Sequence, residues 1–363
     1  MPTVHVSLAH RSYDIGFAPL ESVGAALASF DRISRCILLT DTNVAELGYA
    51  KRAAASIGEA DILTVTAGEQ SKSIETATTL WEKLLEHKAD RRSVLVAVGG
   101  GVVGDLGGFI AATFARGIRF FQVPTTLLAQ VDSSVGGKVG IDLPTAKNMV
   151  GAFHQPLGVL IDTQTLQTLS DEQYASGLGE VVKYGVSLDA ELFELLEANV
   201  DGIRNRNAEL LQKIVAGCCR IKAKIVEQDE FETAGLRALL NYGHTFAHAF
   251  ESLSRYTLPH GLAVSMGSIC AARLARRLGT IDDAFVERQL ALHRALGLPV
   301  SPPPKLDVRQ TLELMRRDKK TAFGKIRFVL PTALGQCAMV DDVAADDILK
   351  ECEACFCEEI ASE

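Results

Sequence analysis

Residues 93–108 read Ser93-Val94-Leu95-Val96-Ala97-Val98-Gly99-Gly100-Gly101-Val102-Val103-Gly104-Asp105-Leu106-Gly107-Gly108. An unbroken apolar run of this kind reads as a strand buried on both faces. Glycines follow it at once. Gly99, Gly101 and Gly104 satisfy the G-x-G-x-x-G spacing between a strand and an expected helix. Glycine permits the tight turn and lets backbone N–H groups approach a pyrophosphate at a helix N-terminus. The segment departs from the usual dinucleotide pattern in two ways. It does not follow the first strand, and Arg119-Phe120-Phe121 stands where a strand-end acid would meet a ribose. Asp41, at the end of an earlier strand, can take that role. The competing reading is a glycine turn with a purely structural purpose.

Working outward, Cys36–Thr40 (CILLT), Asp61–Thr66 (DILTVT) and Arg119–Val123 (RFFQV) are further strand runs. Ser73–His87 carries Ile74, Ala77, Leu80, Trp81, Leu84 and Leu85 at helical spacing. Strands alternating with helices imply a parallel sheet that binds ligands at its strand C-terminal ends. Beyond residue 170 the pattern changes. Ser170-Asp171-Glu172 starts a helix with Ser170 as N-cap. Helical periodicity then dominates: Ala190–Asn199, Ala208–Val226, Leu236–Leu253, Gly261–Leu278 and Asp282–Leu296. Ser301–Pro304 (SPPP) ends the series, and Lys325–Leu330 (KIRFVL) reads as a late strand or hairpin arm. The expected fold is an α/β Rossmann-like dinucleotide-binding domain over 1–170 and an all-α metal-binding domain over 171–363. The active site is expected in the cleft between them.

The 363 residues suggest about two domains at roughly 100–200 residues each. Lys+Arg total 37 and Asp+Glu 45, a net charge of −8, which argues against a general nucleic-acid binder. A hydrophobic fraction of 47% excludes a mainly disordered chain. No stretch approaches the ~20 uncharged apolar residues of a membrane span. The start, MPTVHVSLAHRSYDIG, lacks a basic region followed by an apolar run, so no secretory signal is read. The 8 cysteines are too few for a disulfide scaffold, and reduced thiols in a cytoplasm are the expectation. Cys352, Cys355 and Cys357 form a short acidic, helical tail with no nearby histidine. It is read as having no function, with metal binding as the alternative.

Two other regions carry chemistry. Ser133-Ser134-Val135-Gly136-Gly137-Lys138 can hold another phosphate or be a surface turn. Glu180, His244, His248 and His260 lie in Gly179–Lys183, Asn241–His248 and Leu258–Gly261. Two imidazoles and a carboxylate suit Zn²⁺ with one position left open for substrate. His244 and His248, four apart, share a helix face and are the simplest pair, but spacing alone does not say which two histidines are ligands. Capping or core histidines are the plain alternative. Lys138, Lys147, Lys183 and Lys222 lie near glycines or polar turns, as phosphate or carboxylate binders do; singly, each also reads as a surface charge.

Together these segments resemble the 3-dehydroquinate synthase family. The resemblance covers about residue 36 to residue 331 and rests on seven motifs in order: Ala67–Lys72 (AGEQSK), GGGVVGDLGGF, Gln122–Lys138 (QVPTTLLAQVDSSVGGK), Lys147-Asn148, Gly177–Gly185 (GLGEVVKYG), Leu236–Glu251 (LRALLNYGHTFAHAFE) and Pro259–Gly261 (PHG). It implies NAD held by Asp41, Asn43, Glu69, Gln70, Ser71, Lys72, Gly101, Val102, Val103, Gly104, Asp105, Thr125, Thr126, Lys147, Thr165, Leu166, Gln167 and Thr168. It implies Zn²⁺, or Co²⁺, on Glu180, His244 and His260, which replaces the simplest pair and makes His248 a substrate-side or proton-transfer group. It implies that Arg116, Asp132, Lys138, Asn148, Lys183, Lys222, Arg237, Asn241 and one of Lys319 and Lys320 contact substrate. Glu232 matches an acidic family position, although here Phe231 and one additional residue before Gly235 interrupt the pattern.

The activity so implied is conversion of 3-deoxy-D-arabino-heptulosonate 7-phosphate to 3-dehydroquinate and phosphate, in the shikimate pathway. It runs by NAD-dependent transient oxidation, phosphate elimination, re-reduction, ring opening and aldol closure, and is a carbon–oxygen lyase reaction by outcome. A homodimer, with Arg116 near the neighbouring subunit's site, and a cytoplasmic location are implied as well; no membrane or nucleic-acid partner is. Three rivals stand beside it. A sister cyclase would act on a sugar phosphate lacking the carboxylate, and Arg237, Asn241 and His248 argue against it. A metal-dependent alcohol dehydrogenase would consume NAD stoichiometrically. A non-catalytic NAD-binding protein would have lost ligands or lysines that are all present.

Overall fold

The computed structural model describes residues 3–302, 308–318, 326–341 and 343–357. In chain order the strands are β1 (Thr3–Val6), β2 (Tyr13–Phe17), β3 (Cys36–Asp41), β4 (Ala60–Val65), β5 (Val94–Gly99), β6 (Arg119–Pro124), β7 (Lys138–Leu143), β8 (Ala146–Phe153), β9 (Gly158–Ile161), β10 (Phe328–Ala333) and β11 (Gln336–Val340). By their contacts the described residues fall into two compact units, Met1–Leu169 with Lys222–Phe231, and Ser170–Ile221 with Glu232–Glu363.

In the first unit seven strands form one sheet in the order β1-β2-β9-β6-β5-β3-β4. Every neighbouring pair is parallel except β1 with β2. β5 sits between β3 and β6 and is buried along its whole length, as its continuous apolar run requires. Alternate residues serve opposite layers. Ile37, Leu39, Leu95, Ala97 and Phe120 pack with Leu80, Leu84, Leu106 and Ile110 from the helices Ile74–Glu86 and Gly101–Thr113. Leu38, Val94, Val96, Val98 and Phe121 pack with Leu20, Val23, Leu27, Tyr49 and Ala53. A sheet covered on both faces is the doubly wound arrangement. Ser73 caps its helix by accepting from the Thr76 N–H at 3.2 Å.

Two features have no counterpart in the sequence pattern. The first residues build β1 and β2, which extend the sheet beside β9. β7 and β8 form a separate antiparallel hairpin. Its β7 strand packs on the helix Gly101–Thr113, where an added Cβ on Gly108 would sit 2.3 Å from Val139 Cγ1.

The second unit is mainly helical: Asp171–Leu188, Ala190–Ala198, His244–Leu253, His260–Arg277 and Asp283–Ala295, with the β10–β11 hairpin beside them. Ser170 caps the first helix, accepting from the Gln173 N–H at 3.4 Å. The periodic segment 236–253 is not one helix. A 3₁₀ turn, Leu236–Asn241, and the helix His244–Leu253 are separated at Tyr242 (φ −54°, ψ 126°) and Gly243 (φ 79°). The break follows from burial. Tyr242 is fully enclosed, and its hydroxyl donates to the Ser268 carbonyl (2.8 Å) and meets Gln289 Oε1 (3.0 Å). A Cβ on Gly243 would lie 2.7 Å from Ser268 N, so the chain turns there without a side chain.

The cysteine tail belongs to the helix Ala345–Cys357, where Cys352 and Cys355 are buried. Burial pushes the Cys352 thiol up, away from the thiolate that a metal needs. Pro303, Pro304, Lys319, Lys320 and Lys325 lie outside the described residues.

Candidate metal centre and dinucleotide cradle

Two pairs of glycines set the geometry of the second unit's site. An added Cβ on Gly179 would sit 2.1 Å from the Gly261 carbonyl oxygen, and one on Gly261 would sit 1.7 Å from the Ser176 carbonyl oxygen. The helices Asp171–Leu188 and His260–Arg277 therefore touch backbone to backbone, next to Glu180 and His260. Gly267 and Gly243 repeat the device: a Cβ on Gly267 would meet the Gly243 carbonyl oxygen at 2.3 Å. That contact places His244 at the start of its helix against the same neighbour.

Glu180, His244 and His260 meet as a result, each offering one ligand atom, with all three atoms within 4.8 Å of one another. The Nε2 atoms of His260 and His244 stand 3.2 and 3.6 Å from Glu180 Oε1. Their Nδ1 atoms face acceptors: Glu251 Oε2 at 3.3 Å for His260 and the Tyr242 carbonyl at 3.2 Å for His244. Imidazoles anchored through Nδ1 with Nε2 converging on a carboxylate form the donor set of a divalent-metal site. Burial pulls the His244 imidazole down to about 3, so it is neutral, as a ligand must be. Burial also works against a charged His260, but Glu180 and Glu251 outweigh it and hold that imidazole up at about 10.

Lys183 Nζ lies 2.5 Å from Glu180 Oε2, and both side chains are buried. His248 is exposed, with its ring centre 5.5 Å from that of His244 and 6.3 Å from that of His260. It is not one of the three converging residues. Arg237 is buried, while Asn241 and Glu232 are exposed. Glu232 has a left-handed backbone, φ 59°.

Sequence reasoning gave no role to Glu251 or to the Tyr242 carbonyl. The first left a signal, because Glu251 falls seven residues after His244 and so lies on the same helix face. The second left none, since any residue supplies a carbonyl.

In the first unit β5 runs into the helix Gly101–Thr113, whose N-cap is Gly100 with no capping side chain. Its first-turn N–H groups have no intrahelical acceptor and point toward any anion placed there. A Cβ on Gly104 would meet Gln122 Oε1 at 2.9 Å, and one on Gly101 would meet Ser133 Oγ at 3.2 Å. Lys72, 3% exposed, reaches Asp105 Oδ2 (2.9 Å), Asn148 Oδ1 (2.5 Å) and Glu69 Oε1 (3.5 Å). Burial alone would lower the Lys72 ammonium, but Asp105 and Glu69 reverse that and raise it. Lys147 Nζ stands 3.8 Å from Glu69. Asp41 ends β3 beside β5 and caps the next helix through the Val44 N–H (2.9 Å), with Asn43 exposed after it.

Other expected residues separate by environment. Lys222 Nζ pairs with Asp132 Oδ1 at 2.8 Å and donates to the Asp132 carbonyl at 2.6 Å. Thr125 is buried, with its N–H on the Gly99 carbonyl (2.9 Å), and Thr126 Oγ1 accepts from the Ala129 N–H (3.2 Å). Thr165 and Leu166 are buried, and the Thr165 hydroxyl meets the Asp162 carbonyl and Gln130, so their side chains are committed to the fold. Gln167 and Thr168 are exposed, as are Gln70 and Lys138, whereas Ser71 is buried. Ala115, Arg116 and Gly117 form a run of left-handed residues (φ 50°, 67° and 111°) that presents an exposed Arg116.

Similarity to known proteins gives the family. The 3-dehydroquinate synthase N-terminal model matches residues 62–176 and the C-terminal model matches residues 177–321. The 3-dehydroquinate synthase of Desulforamulus reducens is 48% identical over 356 residues, covering 96% of this chain and 99% of that one. Among solved structures, 2-epi-5-epi-valiolone synthase from Streptomyces hygroscopicus subsp. jinggangensis, with NAD⁺ and Zn²⁺ bound, is 27% identical at a TM-score of 0.88, covering 97% of this chain and 99% of its own. 2-Deoxy-scyllo-inosose synthase, complexed with carbaglucose-6-phosphate, NAD⁺ and Co²⁺, is 26% identical at a TM-score of 0.87, covering 96% and 98%. With both family models matched in order and near-complete coverage by a curated relative, the chain belongs to the 3-dehydroquinate synthase family.

Proposed function

We propose that the chain converts 3-deoxy-D-arabino-heptulosonate 7-phosphate to 3-dehydroquinate and phosphate. The observation that carries this over a sister cyclase is the contrast in identity, 48% to a 3-dehydroquinate synthase against 26% and 27% to the two cyclases above. The donor set of Glu180, His244 and His260 fits Zn²⁺ or Co²⁺, and the uncapped glycine turn after β5 fits the pyrophosphate of NAD. When bound, NAD supplies transient oxidation and re-reduction of a ring hydroxyl, and the metal supplies that hydroxyl's acidity.

The chain's own residues then bind and orient. The helix start Gly101 to Asp105, with Glu69 to Lys72, Thr125, Thr126, Lys147 and the exposed Gln167 and Thr168, holds the dinucleotide, and Asp41 and Asn43 hold its ribose end. Lys138, Asn148, Lys183, Lys222, Arg237, Asn241 and Arg116 clamp the phosphate and carboxylate, with Asp132 holding Lys222 in place. His248 and Glu232 carry protons. Arg116, set out on its strained turn, serves the partner site of a cytoplasmic homodimer.

The test incubates purified chain with the heptulosonate phosphate, zinc and substoichiometric NAD. Phosphate and dehydroquinate in large excess over NAD, with no net NADH, are expected. NADH accumulating in step with product would make the chain a dehydrogenase. Phosphate release from glucose 6-phosphate or sedoheptulose 7-phosphate, but not from the heptulosonate, would make it a sister cyclase.

A further inference from the structure

Glu251 sits on the helix His244–Leu253, is 8% exposed, and faces His260 Nδ1 at 3.3 Å through Oε2. Carboxylates this buried are retained where a specific partner holds them, and here that partner is a ring nitrogen of a candidate ligand. His244 has an uncharged acceptor in the same place, the Tyr242 carbonyl. The two imidazoles are thus held unequally, one by a neutral oxygen and one by an anion. An anionic acceptor at Nδ1 fixes the tautomer and makes the opposite nitrogen a stronger donor.

We propose that Glu251 is a positioning residue for the metal centre: it fixes His260 with Nε2 toward Glu180 and so sets the affinity and geometry with which a divalent cation is held. The inference rests on the reading of Glu180, His244 and His260 as metal ligands. It predicts a graded series. Glu251→Gln keeps an acceptor but loses the charge, making the His260 support resemble that of His244. Glu251→Ala removes both.

The experiment strips the purified full-length protein of metal, then measures Zn²⁺ affinity by competition with a chromophoric chelator and records the visible spectrum of the Co²⁺ form. Affinity is expected to fall about tenfold in Glu251→Gln and about a hundredfold in Glu251→Ala, the range of such outer partners, with a changed Co²⁺ spectrum in both. A residue that only supported the fold would lower the unfolding temperature of the metal-free protein and leave the Co²⁺ spectrum as it is in the wild type. Unchanged affinity and spectrum in folded Glu251→Gln overturn the proposal, and this variant decides if Glu251→Ala does not fold. Failure of the wild-type protein to bind one Zn²⁺ would instead overturn the metal reading on which it rests.

Discussion

Gly179 and Gly261 meet backbone to backbone: a methyl group on Gly179 would lie 2.1 Å from the Gly261 carbonyl oxygen, well inside van der Waals contact. Each glycine is the immediate neighbour of a proposed metal ligand, Glu180 or His260. The obstructing atom is main chain on both sides, so no side chain can swing away. Gly179→Ala and Gly261→Ala should push the two helices apart, costing about 1–3 kcal/mol from overpacking and lowering zinc content. Chemical unfolding and elemental analysis on the same samples check this. Full zinc occupancy and wild-type stability in both variants would show that the close approach is not what assembles the site.

Lys72 bridges Asp105 and Glu69, the second of which Lys147 also approaches, and it binds the Asn148 amide oxygen. Lys72→Met should leave two acids close together, lowering stability and loosening the turn between β7 and β8, which Asn148 helps to order. If Lys72 also touches the dinucleotide, NAD affinity falls with it. Comparing the double variant Lys72→Met/Asp105→Asn with Asp105→Asn alone separates the two effects. Stability should return toward the wild-type value as the repulsion is relieved, while NAD affinity measured by calorimetry stays below that of Asp105→Asn. Recovery of both would assign Lys72 a structural role alone.

Legibility followed physical length scales. β3, β5 and β6 were readable because a strand buried on both faces must be a nearly unbroken apolar run, and β4, at the sheet edge, because Leu63 and Val65 alternate with exposed residues. β1 and β9 are four-residue strands whose sequences resemble many loops. The hairpin of β7 and β8 carries glycines and charges that read as a turn. The break at Tyr242–Gly243 was hidden because Leu236–Leu253 keeps helical spacing across it; only the burial of Tyr242 against Ser268 and Gln289, contacts far apart in sequence, imposes the bend. The site shows the same limit. His244 and His248 satisfy a local rule equally well with or without a metal. His260 becomes a neighbour of His244 only through glycine contacts that tertiary packing creates, so the family resemblance, not spacing, singled it out.

His293 is fully buried and is pulled down to about 3 by that burial. The Ser265 hydroxyl donates to the Pro299 carbonyl (2.7 Å), so His293 Nδ1–H donates to the Ser265 oxygen (2.8 Å). Nε2 has no hydrogen-bond partner among the described residues, and a proton there would be a buried charge without an acceptor. The folded pKa lies below the unfolded one, so this contribution is complete above about pH 6.5 and is lost as pH falls toward 3, by up to roughly 1.4 kcal/mol per pH unit for one group. Urea unfolding at several pH values between 7 and 5 should show that slope, and His293→Phe should flatten it. An equal slope in both proteins would place the acid sensitivity elsewhere.

The three histidines of the second unit make the sharpest separation. His244 and His260 bring Nε2 to 3.6 and 3.2 Å from Glu180 Oε1. His248 shares a helix face with His244 but is exposed beside the trio. Three protein ligands leave a coordination position for substrate oxygens, whereas a fourth from His248 would close the site in the manner of a structural zinc. An exposed imidazole near the metal is also placed to carry protons near neutral pH. His244→Ala and His260→Ala should therefore each lose zinc and activity together. His248→Ala should keep near-stoichiometric zinc while activity falls about 10²-fold or more, the scale of an acid–base group. Elemental analysis and turnover on the three purified variants decide it. If His248→Ala arrives without zinc and His260→Ala retains it, the helical pair holds the metal and the assignment of His260 as a ligand is wrong.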